Sequence, residues 1–258
     1  MSRRLLRSAG LAALFLAAAC DGDGPVNPGA GPARLRVFNA VVSPGADAIE
    51  VRVASSTAPG AAIPHSEATA FAEIEPGAHR FEARLAGSTR DLFGGSARAT
   101  TVGGFGYTLL AVGKVPAFGT PDVAPVLVAH DPFPPSRVPG GTAYHARIQV
   151  VNAAPYAGGT AGAGALLQAF ITEGDAPESI GGIAPSLTIG FRNASTPLEL
   201  PAGRYTVTLA RLNGAVVARQ TIELGAGHVR TLILTSSEAT ASPSPDNHRI
   251  VVLSDRDF

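Results

Sequence analysis

The sequence predicts an all-β protein: two tandem immunoglobulin-like β-sandwich domains that follow a signal peptide and a flexible tether. Short runs alternate between apolar and polar residues or are almost continuously apolar, and Pro and Gly separate these runs. No window long enough for a helix carries an apolar stripe at helical spacing. The same series of runs then occurs a second time in the same order. The predicted segments are the signal peptide at 1–19, the tether at 20–32, and the two domains at 33–136 and 143–258.

The N-terminus has the three parts of a bacterial export signal. Arg3, Arg4 and Arg7 form a basic region, residues 9–19 are almost purely apolar, and small residues lead into Cys20. The apolar run is about half of the roughly 20 residues that a membrane-spanning helix needs. We therefore interpret residues 1–19 as a signal peptide that is removed.

Residues 16–20, LAAAC, contain the only cysteine of the chain and resemble the lipobox of bacterial lipoproteins. The resemblance implies that the Cys20 thiol receives a diacylglyceryl group, that cleavage occurs before Cys20, and that the new N-terminus is acylated. Ala17 departs from the leucine more usual at that position, and the alternative is an ordinary signal with an incidental cysteine. Lipidation would anchor the protein to a membrane of the bacterial cell envelope, and both the inner and the outer membrane stay open.

The composition limits the remaining classes. Residues 21–32, DGDGPVNPGAGP, have no apolar periodicity and are predicted to be a flexible tether. Removal of 1–19 removes three arginines, so 17 basic residues stand against 20 acidic ones. Because nucleic-acid binding needs clustered Lys and Arg, we expect no nucleic-acid partner. With Cys20 lipidated no thiol remains, so the domains depend on their apolar cores rather than on disulfides.

The repeat is visible in four pairs of segments. RVFNA (36–40) matches QVVNA (149–153), and EIEPGAHRFEARLAG (73–87) matches LELPAGRYTVTLARLNG (198–214). GFGYTLLAV (104–112) matches GHVRTLILT (227–235), and APVLVAHD (124–131) matches RIVVLSD (249–255). About seven short strands in roughly 100 residues suit an immunoglobulin-like sandwich. Tyr107 and Tyr205 lie beside turns, where we expect packing residues with hydrogen-bonded hydroxyls.

These segments resemble the bacterial domain of unknown function 4397, which occurs in one or more copies in exported proteins. The resemblance rests on the opening strand, the L-P-A-G-x-Y-x-V turn and the G-x-x-Y-T strand, in order and twice. Gln168 stands near the place of the acidic Glu50 of the first copy, and Arg230 replaces the tyrosine of the second G-x-x-Y-T. The family has no established activity, so the resemblance implies a fold and an exported location.

No catalytic, cofactor-binding or metal-ligating constellation is evident, and we expect no enzyme activity and no cofactor. The phosphate-binding loop, dinucleotide fingerprint and nucleophile-elbow patterns all fail. The six histidines form no H-x-H or H-x-x-x-H pair. His130 with Asp131, and Asp246 with His248, place acids beside histidines, and we interpret these as solvated loop residues rather than a metal site.

The sequence therefore favours a lipid-anchored, non-catalytic interaction or scaffolding module whose partner is an unknown envelope protein or polymer. The alternative is a hydrolase or glycan-binding protein that acts on an envelope polymer. An Asp, Glu or His cluster in an inter-domain cleft would favour the hydrolase. The second copy carries the insertion YAGGTAGAG (156–164), in which Tyr156 is the expected partner contact unless the loop is neutral expansion. Each domain is expected to fold alone.

Overall fold

The structure is a computed structural model that describes residues 29–44, 48–53, 62–95, 97–155, 157, 166–236 and 247–256. Cys20, Tyr156 and residues 158–165 lie outside the described residues, as does Asp246. The described part is built of strands and turns. It contains no helix with the length and apolar character needed to cross a bilayer.

The first module forms a sandwich of two four-stranded sheets, β4-β1-β7-β8 and β3-β2-β5-β6. Its strands are β1 (Ala33–Val42), β2 (Ala48–Val53), β3 (Ile63–Pro64), β4 (Ala72–Ile74), β5 (Gly77–Leu85), β6 (Arg98–Thr101), β7 (Gly106–Lys114) and β8 (Asp122–His130).

The second module has the sheets β12-β9-β16-β17 and β11-β10-β14-β15, and β13 also pairs with β9. Its strands are β9 (Ala146–Asn152), β10 (Leu166–Glu173), β11 (Leu187–Gly190), β12 (Asn193–Ala194), β13 (Leu198–Leu200), β14 (Gly203–Arg211), β15 (Val216–Leu224), β16 (Val229–Ser236) and β17 (His248–Arg256).

The two modules repeat one topology, which confirms the all-β sandwich fold class. In each module the first strand pairs in parallel with the strand that precedes the last one, as β1 does with β7 and β9 with β16. That strand pairs antiparallel with the last strand, as β7 does with β8 and β16 with β17. The matched sequence segments thus occupy equivalent strands of the two copies.

Two tyrosines beside turns have the role that the sequence predicts. The Tyr205 hydroxyl donates to the Pro201 carbonyl oxygen at 3.0 Å, and the Tyr107 hydroxyl accepts from the Val102 backbone N–H at 2.9 Å. Both rings are buried in the cores of their own sandwiches. Each tyrosine therefore combines apolar packing with one hydrogen bond that fastens a turn.

A third apolar cluster lies between the modules. It joins the outer face of the β4-β1-β7-β8 sheet to the outer face of the β12-β9-β16-β17 sheet. Its buried members are Phe38, Ala40, Leu110, Val112, Val128, Val151, Ala153, Phe191 and Ile233. The molecule is therefore a stack of four sheets with three apolar layers, and the middle layer belongs to both modules.

This stacking explains why the apolar patterns of the strands differ. In β1 and β7 nearly every residue is buried, because both faces of their sheet are covered. In β2 and β5 burial alternates, because only one face of their sheet meets the core. The sequence predicts that each domain folds alone, and it does not reveal this shared layer. A separate module would expose its face of the layer to water.

The stack has two distinguishable ends. The proximal end carries the first residues of β1, β7, β9 and β16 and the last residues of β8 and β17. The first described residue, Gly29, lies at this end, where its backbone N–H donates to the Gly103 carbonyl oxygen. The distal end carries the opposite termini, and there Arg192 of the second module bonds Asp122 of the first at 2.7 Å. β1 alone has 10 residues, so the ends are about 30 Å apart.

Candidate functional site at the junction of the two modules

Ionisable and hydroxyl side chains of both modules meet near the proximal end, beside the shared apolar layer. We call this group the junction cluster; its members are Arg36 on β1, Thr108 on β7, His130 at the finish of β8, Thr231 on β16 and Asp255 on β17. The residues reach one another because β1, β7 and β8 are neighbours in one sheet and β16 and β17 in the facing sheet. The cluster thus exists only where the two modules are docked.

Arg36 is the centre of the cluster and is bound by both modules. Its guanidinium forms an ion pair with the Asp255 carboxylate and donates to the Ser254 carbonyl oxygen at 2.7 Å. Its Nε donates to Thr108 Oγ1 at 2.9 Å within the first module. The side chains of Arg36 and Asp255 are only 5% and 1% exposed. Such a buried pair must satisfy most of its hydrogen-bonding groups to offset its desolvation.

The Asp255 carboxylate assigns the tautomer of His130. Nδ1 faces Asp255 Oδ2 at 3.5 Å, and a carboxylate oxygen only accepts, so the ring proton lies on Nδ1. Nε2 is then the acceptor for the Thr108 hydroxyl at 2.7 Å, while Thr108 Oγ1 accepts from Arg36. The other donor to Oδ2 is the Thr231 hydroxyl at 2.7 Å. The neutral ring thus completes a chain from Arg36 through Thr108 and His130 to Asp255.

Burial dominates the electrostatics of these groups. Burial raises the pKa of Asp255 to about 6, while Arg36 and the Thr231 hydroxyl act in the opposite direction. Burial, with the positive charge of Arg36 beside it, lowers the pKa of His130 to about 3. The contact of His130 with Asp255 is therefore that of a neutral ring with a carboxylate at neutral pH.

The connectivity Thr108–His130–Asp255 has the order of a hydroxyl, imidazole and carboxylate catalytic triad. Two features distinguish it from a reactive site. Two narrow clefts lined by residues of both modules open at the junction, and Thr108 lines neither of them. The Thr108 residue is 0% exposed, so no substrate carbon can approach its oxygen. Asp255 is engaged by Arg36 as well as by the ring. The three side chains contribute polar contacts across the junction, and His130 and Asp255 also line an inter-module cleft together with Asp131.

Further polar contacts cross the boundary at both ends. At the proximal end Arg256 donates to the Pro132 carbonyl oxygen at 2.8 Å, and Arg147 pairs with Asp131 at 3.3 Å. At the distal end the two ring nitrogens of His65 lie 2.9 Å from the carbonyl oxygens of Val41 and Ser236. The contacts Arg256–Pro132, Arg147–Asp131 and His65–Ser236 join groups of different modules and so fix the relative orientation of the two sandwiches.

The structure corrects one sequence prediction at the site and leaves others outside its range. His130 is wrongly predicted to be a solvated loop residue: it is 7% exposed and hydrogen-bonded, because the facing sheet covers the finish of β8. Asp131 is 42% exposed and paired with Arg147. Within the described residues, no group of three or more His, Cys, Asp or Glu could hold a metal ion. Cys20 and Tyr156, the predicted lipidation site and partner contact, are not among the described residues.

Sequence reasoning missed Arg36, Thr231 and Asp255 as members of one site. The available signal was Arg36, a charged residue at the fourth position of β1 whose two neighbours in the strand are buried. A charge inside a strand that is buried on both faces requires a partner. The identity of that partner is not readable from the sequence, because Asp255 lies 219 residues away.

Comparison with known proteins gives no family. No family model matches the chain. No curated protein matches it either. A presumed cell adhesion protein of known structure from Bacteroides eggerthii is 12% identical, with 91% of this chain and 98% of that chain covered and a TM-score of 0.22. A leucine-rich repeat protein from Bacteroides thetaiotaomicron is 12% identical over 78% of this chain and 25% of that one, with a TM-score of 0.16. Such TM-scores are too low to support an assignment.

The fold and the junction together define a class of protein: a double β-sandwich whose modules are joined by a common apolar layer and a buried polar clamp. Its candidate site is an inter-module joint.

Proposed function

We propose that the protein is a lipid-anchored component of the bacterial cell envelope that acts as a non-catalytic interaction or scaffolding module. Cys20 would carry the anchor, as the lipobox resemblance implies, and the two sandwiches would present a binding surface to an envelope protein or polymer. The observation that most strongly supports a scaffolding role is that the two sandwiches are docked against each other. Buried apolar residues and the Arg36–Asp255 ion pair together hold them.

The arrangement of the two ends fits this role. The described chain begins at the proximal end, on the side from which the tether to Cys20 would lead. Among the described residues, the distal end carries four exposed large apolar side chains in turns or at strand starts: Phe118 at 92%, Leu212 at 61%, and Leu166 and Val216 at 46% each. Loops held by a firm β-framework commonly carry binding. We therefore assign the partner surface to the distal end, where Arg211 Nε also donates to the carbonyl oxygen of Ala157 within the predicted insertion.

Crosslinking in cells tests the assignment of the surface. A photoreactive amino acid is placed at Phe118 or Leu212, with Arg52 as the control site because its side chain is 59% exposed on the outer face of β2. We expect a discrete set of adducts from the distal sites that the Arg52 site does not give. Identical adducts at all three sites, or none at any, would contradict the proposal. Tyr156→Ala and deletion of residues 158–163 should weaken the adducts if the insertion contributes.

Fractionation tests the anchor separately. Cys20→Ala should give unprocessed precursor or a soluble product, while the unaltered chain should remain with membranes. A Cys20→Ala protein that sediments with membranes at its mature size would overturn the lipid anchor, whatever the crosslinking shows.

One observation favours the alternative of a hydrolase, namely the order of Thr108, His130 and Asp255 at the junction. A fluorophosphonate probe distinguishes the two functions, since it labels activated hydroxyl nucleophiles. The interaction module predicts no labelling of Thr108, because the hydroxyl is buried and accepts from Arg36. Labelling that is lost in both Thr108→Val and His130→Gln would establish the hydrolase. Glycan-binding surfaces commonly present exposed tryptophan rings. The chain contains no tryptophan, which disfavours the glycan-binding alternative.

A further inference from the structure

The strand β15 of the second module is an open sheet edge. Among the described strands it pairs with β14 alone, and after a register shift before Ala218 the pairing continues unbroken to Leu224. The other two nine-residue edge strands of the described part are blunted. β8 contains Pro125, which has no N–H to donate, and β17 has a register irregularity beside Asp255. β15 is therefore the long edge that best fits a further strand.

The alternation of the backbone shows which groups of β15 face the open edge. The Gly174 N–H donates to the Arg204 carbonyl oxygen at 2.7 Å, so the backbone groups of Arg204 face the β10 side. Successive residues of a strand alternate in direction, so those of Tyr205 face β15, where Ile222 lies opposite. By the same alternation the N–H and C=O of Thr221 face away from β14. The outward-facing residues of the regular edge are therefore Arg219, Thr221 and Glu223.

The outward-facing residues carry opposite charges on either side of Thr221. Arg219 and Glu223 are both exposed, and they lie four residues apart, about 13 Å along the strand, which is too far for an ion pair within one copy. Among the described residues Arg219 bonds the Thr208 hydroxyl at 3.2 Å and no carboxylate. The Glu223 side chain is 75% exposed, and Arg204 lies 3.5 Å from it. Both charges are thus available to a second strand.

We propose that β15 pairs antiparallel with β15 of a second copy of this chain, with Thr221 on the two-fold axis. In this register Arg219 of each copy lies opposite Glu223 of the other, and a two-fold contact forms both pairs at once. All three outward-facing residues then lie in hydrogen-bonded pairs, each of which exchanges two backbone bonds. Opposite charges on directly opposed residues stabilise such a pairing. The proposal requires neither the lipid anchor nor the distal partner surface.

The central carbonyl of the edge is accessible to a partner. Gln220 Nε2 donates to the Thr221 carbonyl oxygen at 2.8 Å, so this oxygen can be reached from the open side, and it keeps a second lone pair. Pairing would join two four-stranded sheets β11-β10-β14-β15 into one continuous sheet. Contact through one strand edge buries less area than a standard interface. The dimer is therefore weak and reversible, and the two charge pairs have a large effect on its affinity.

Sedimentation equilibrium of the mature full-length chain with Cys20→Ala tests the dimer. We expect a reversible monomer–dimer equilibrium at concentrations up to about 1 mM. Arg219→Glu and Glu223→Arg each place like charges opposite each other and should each weaken dimerisation about tenfold or more. The double variant Arg219→Glu with Glu223→Arg restores opposite charges and should recover most of the affinity. Arg52→Glu, the same charge change on β2, should leave the affinity unchanged.

Three results of the sedimentation series would overturn the proposal. They are a chain that stays monomeric throughout, single variants that dimerise as well as the unaltered strand, and a double variant that is not rescued. Circular dichroism shows that each variant is folded before it is measured. A dimer that persists in both single variants would use another surface, such as the apolar side chains at the distal end.

A single thiol tests the register. In the Cys20→Ala chain, Thr221→Cys places the only thiol on the two-fold axis, where opposed Cα atoms are about 5.5 Å apart. A disulfide spans this distance, so mild oxidation should crosslink the variant into dimers. Val216→Cys is the matched control: it is exposed on the same strand and keeps both charges, but its two thiols would be about 30 Å apart. Equal crosslinking of both variants, or none with Thr221→Cys, would overturn this pairing.

Discussion

Asp255 on the last strand neutralises Arg36 on the first, and this ion pair joins the two modules across 219 residues of sequence. Both side chains are nearly inaccessible to water. The pair is therefore a buried polar contact between the two modules. The apolar layer around Phe38 and Ile233 provides the buried apolar surface between them.

Removing one partner of the ion pair should be strongly destabilising. Asp255→Ala leaves the Arg36 charge buried without its carboxylate, which costs about 3–5 kcal/mol of unfolding free energy. Chemical denaturation followed by circular dichroism measures the loss. The control is Arg52→Ala, whose pair with Glu50 is exposed at 3.9 Å and should be worth less than about 1 kcal/mol. A similar small effect of Asp255→Ala would mean that the pair does not support the junction.

The pH dependence of stability should have opposite signs in two single variants. His130→Gln removes the effect of the lowered pKa of His130 and keeps the raised pKa of Asp255, whose contribution to stability falls as the pH rises from about 4 to about 6. Asp255→Asn removes the effect of Asp255 and keeps the lowered pKa of His130, whose contribution to stability falls as the pH drops from about 6.5 toward 3. Thermal melts at several pH values measure both slopes. Slopes of the same sign would contradict the assigned protonation states.

The separated halves should recognise each other. Residues 33–136 and 143–258 each keep their own sandwich core but expose the apolar face that contains Phe38 or Ile233. We expect β-type circular dichroism from each half and a heterodimer, or self-association, in sedimentation experiments. Ile233→Lys in the second half should abolish the association, because it places a charge in the shared layer. Two halves that stay monomeric when mixed would refute the common layer.

The turn tyrosines allow a conservative test of individual hydrogen bonds. Tyr205→Phe keeps the ring but loses the bond to Pro201, and should cost about 1 kcal/mol of unfolding free energy. Tyr107→Phe leaves the Val102 N–H without its acceptor and should cost a comparable amount. Tyr144→Phe is the control, since its hydroxyl bonds Arg137 at the surface. Equal effects of all three changes would mean that burial does not determine their value.

The fold class, the repeat and the role of the turn tyrosines could be predicted from the sequence, because strand alternation and Pro-Gly turns are local signals. The stacking of four sheets could not be predicted from the sequence. Its signal is the almost continuously apolar sequence of β1 and β7, which is also expected of a buried strand inside a single sandwich. The junction cluster was missed because its geometry depends on docking: His130 reads as a loop residue until a second module covers it.

The measurement that tests the account most directly is the cooperativity of unfolding of the mature chain with Cys20→Ala. The chain contains no tryptophan, so circular dichroism and differential scanning calorimetry are the suitable probes. If the shared layer and the Arg36–Asp255 pair make the modules one unit, a single transition results and the calorimetric and van't Hoff enthalpies agree. Two resolved transitions, each retained when Asp255 is replaced by Ala, would contradict the account.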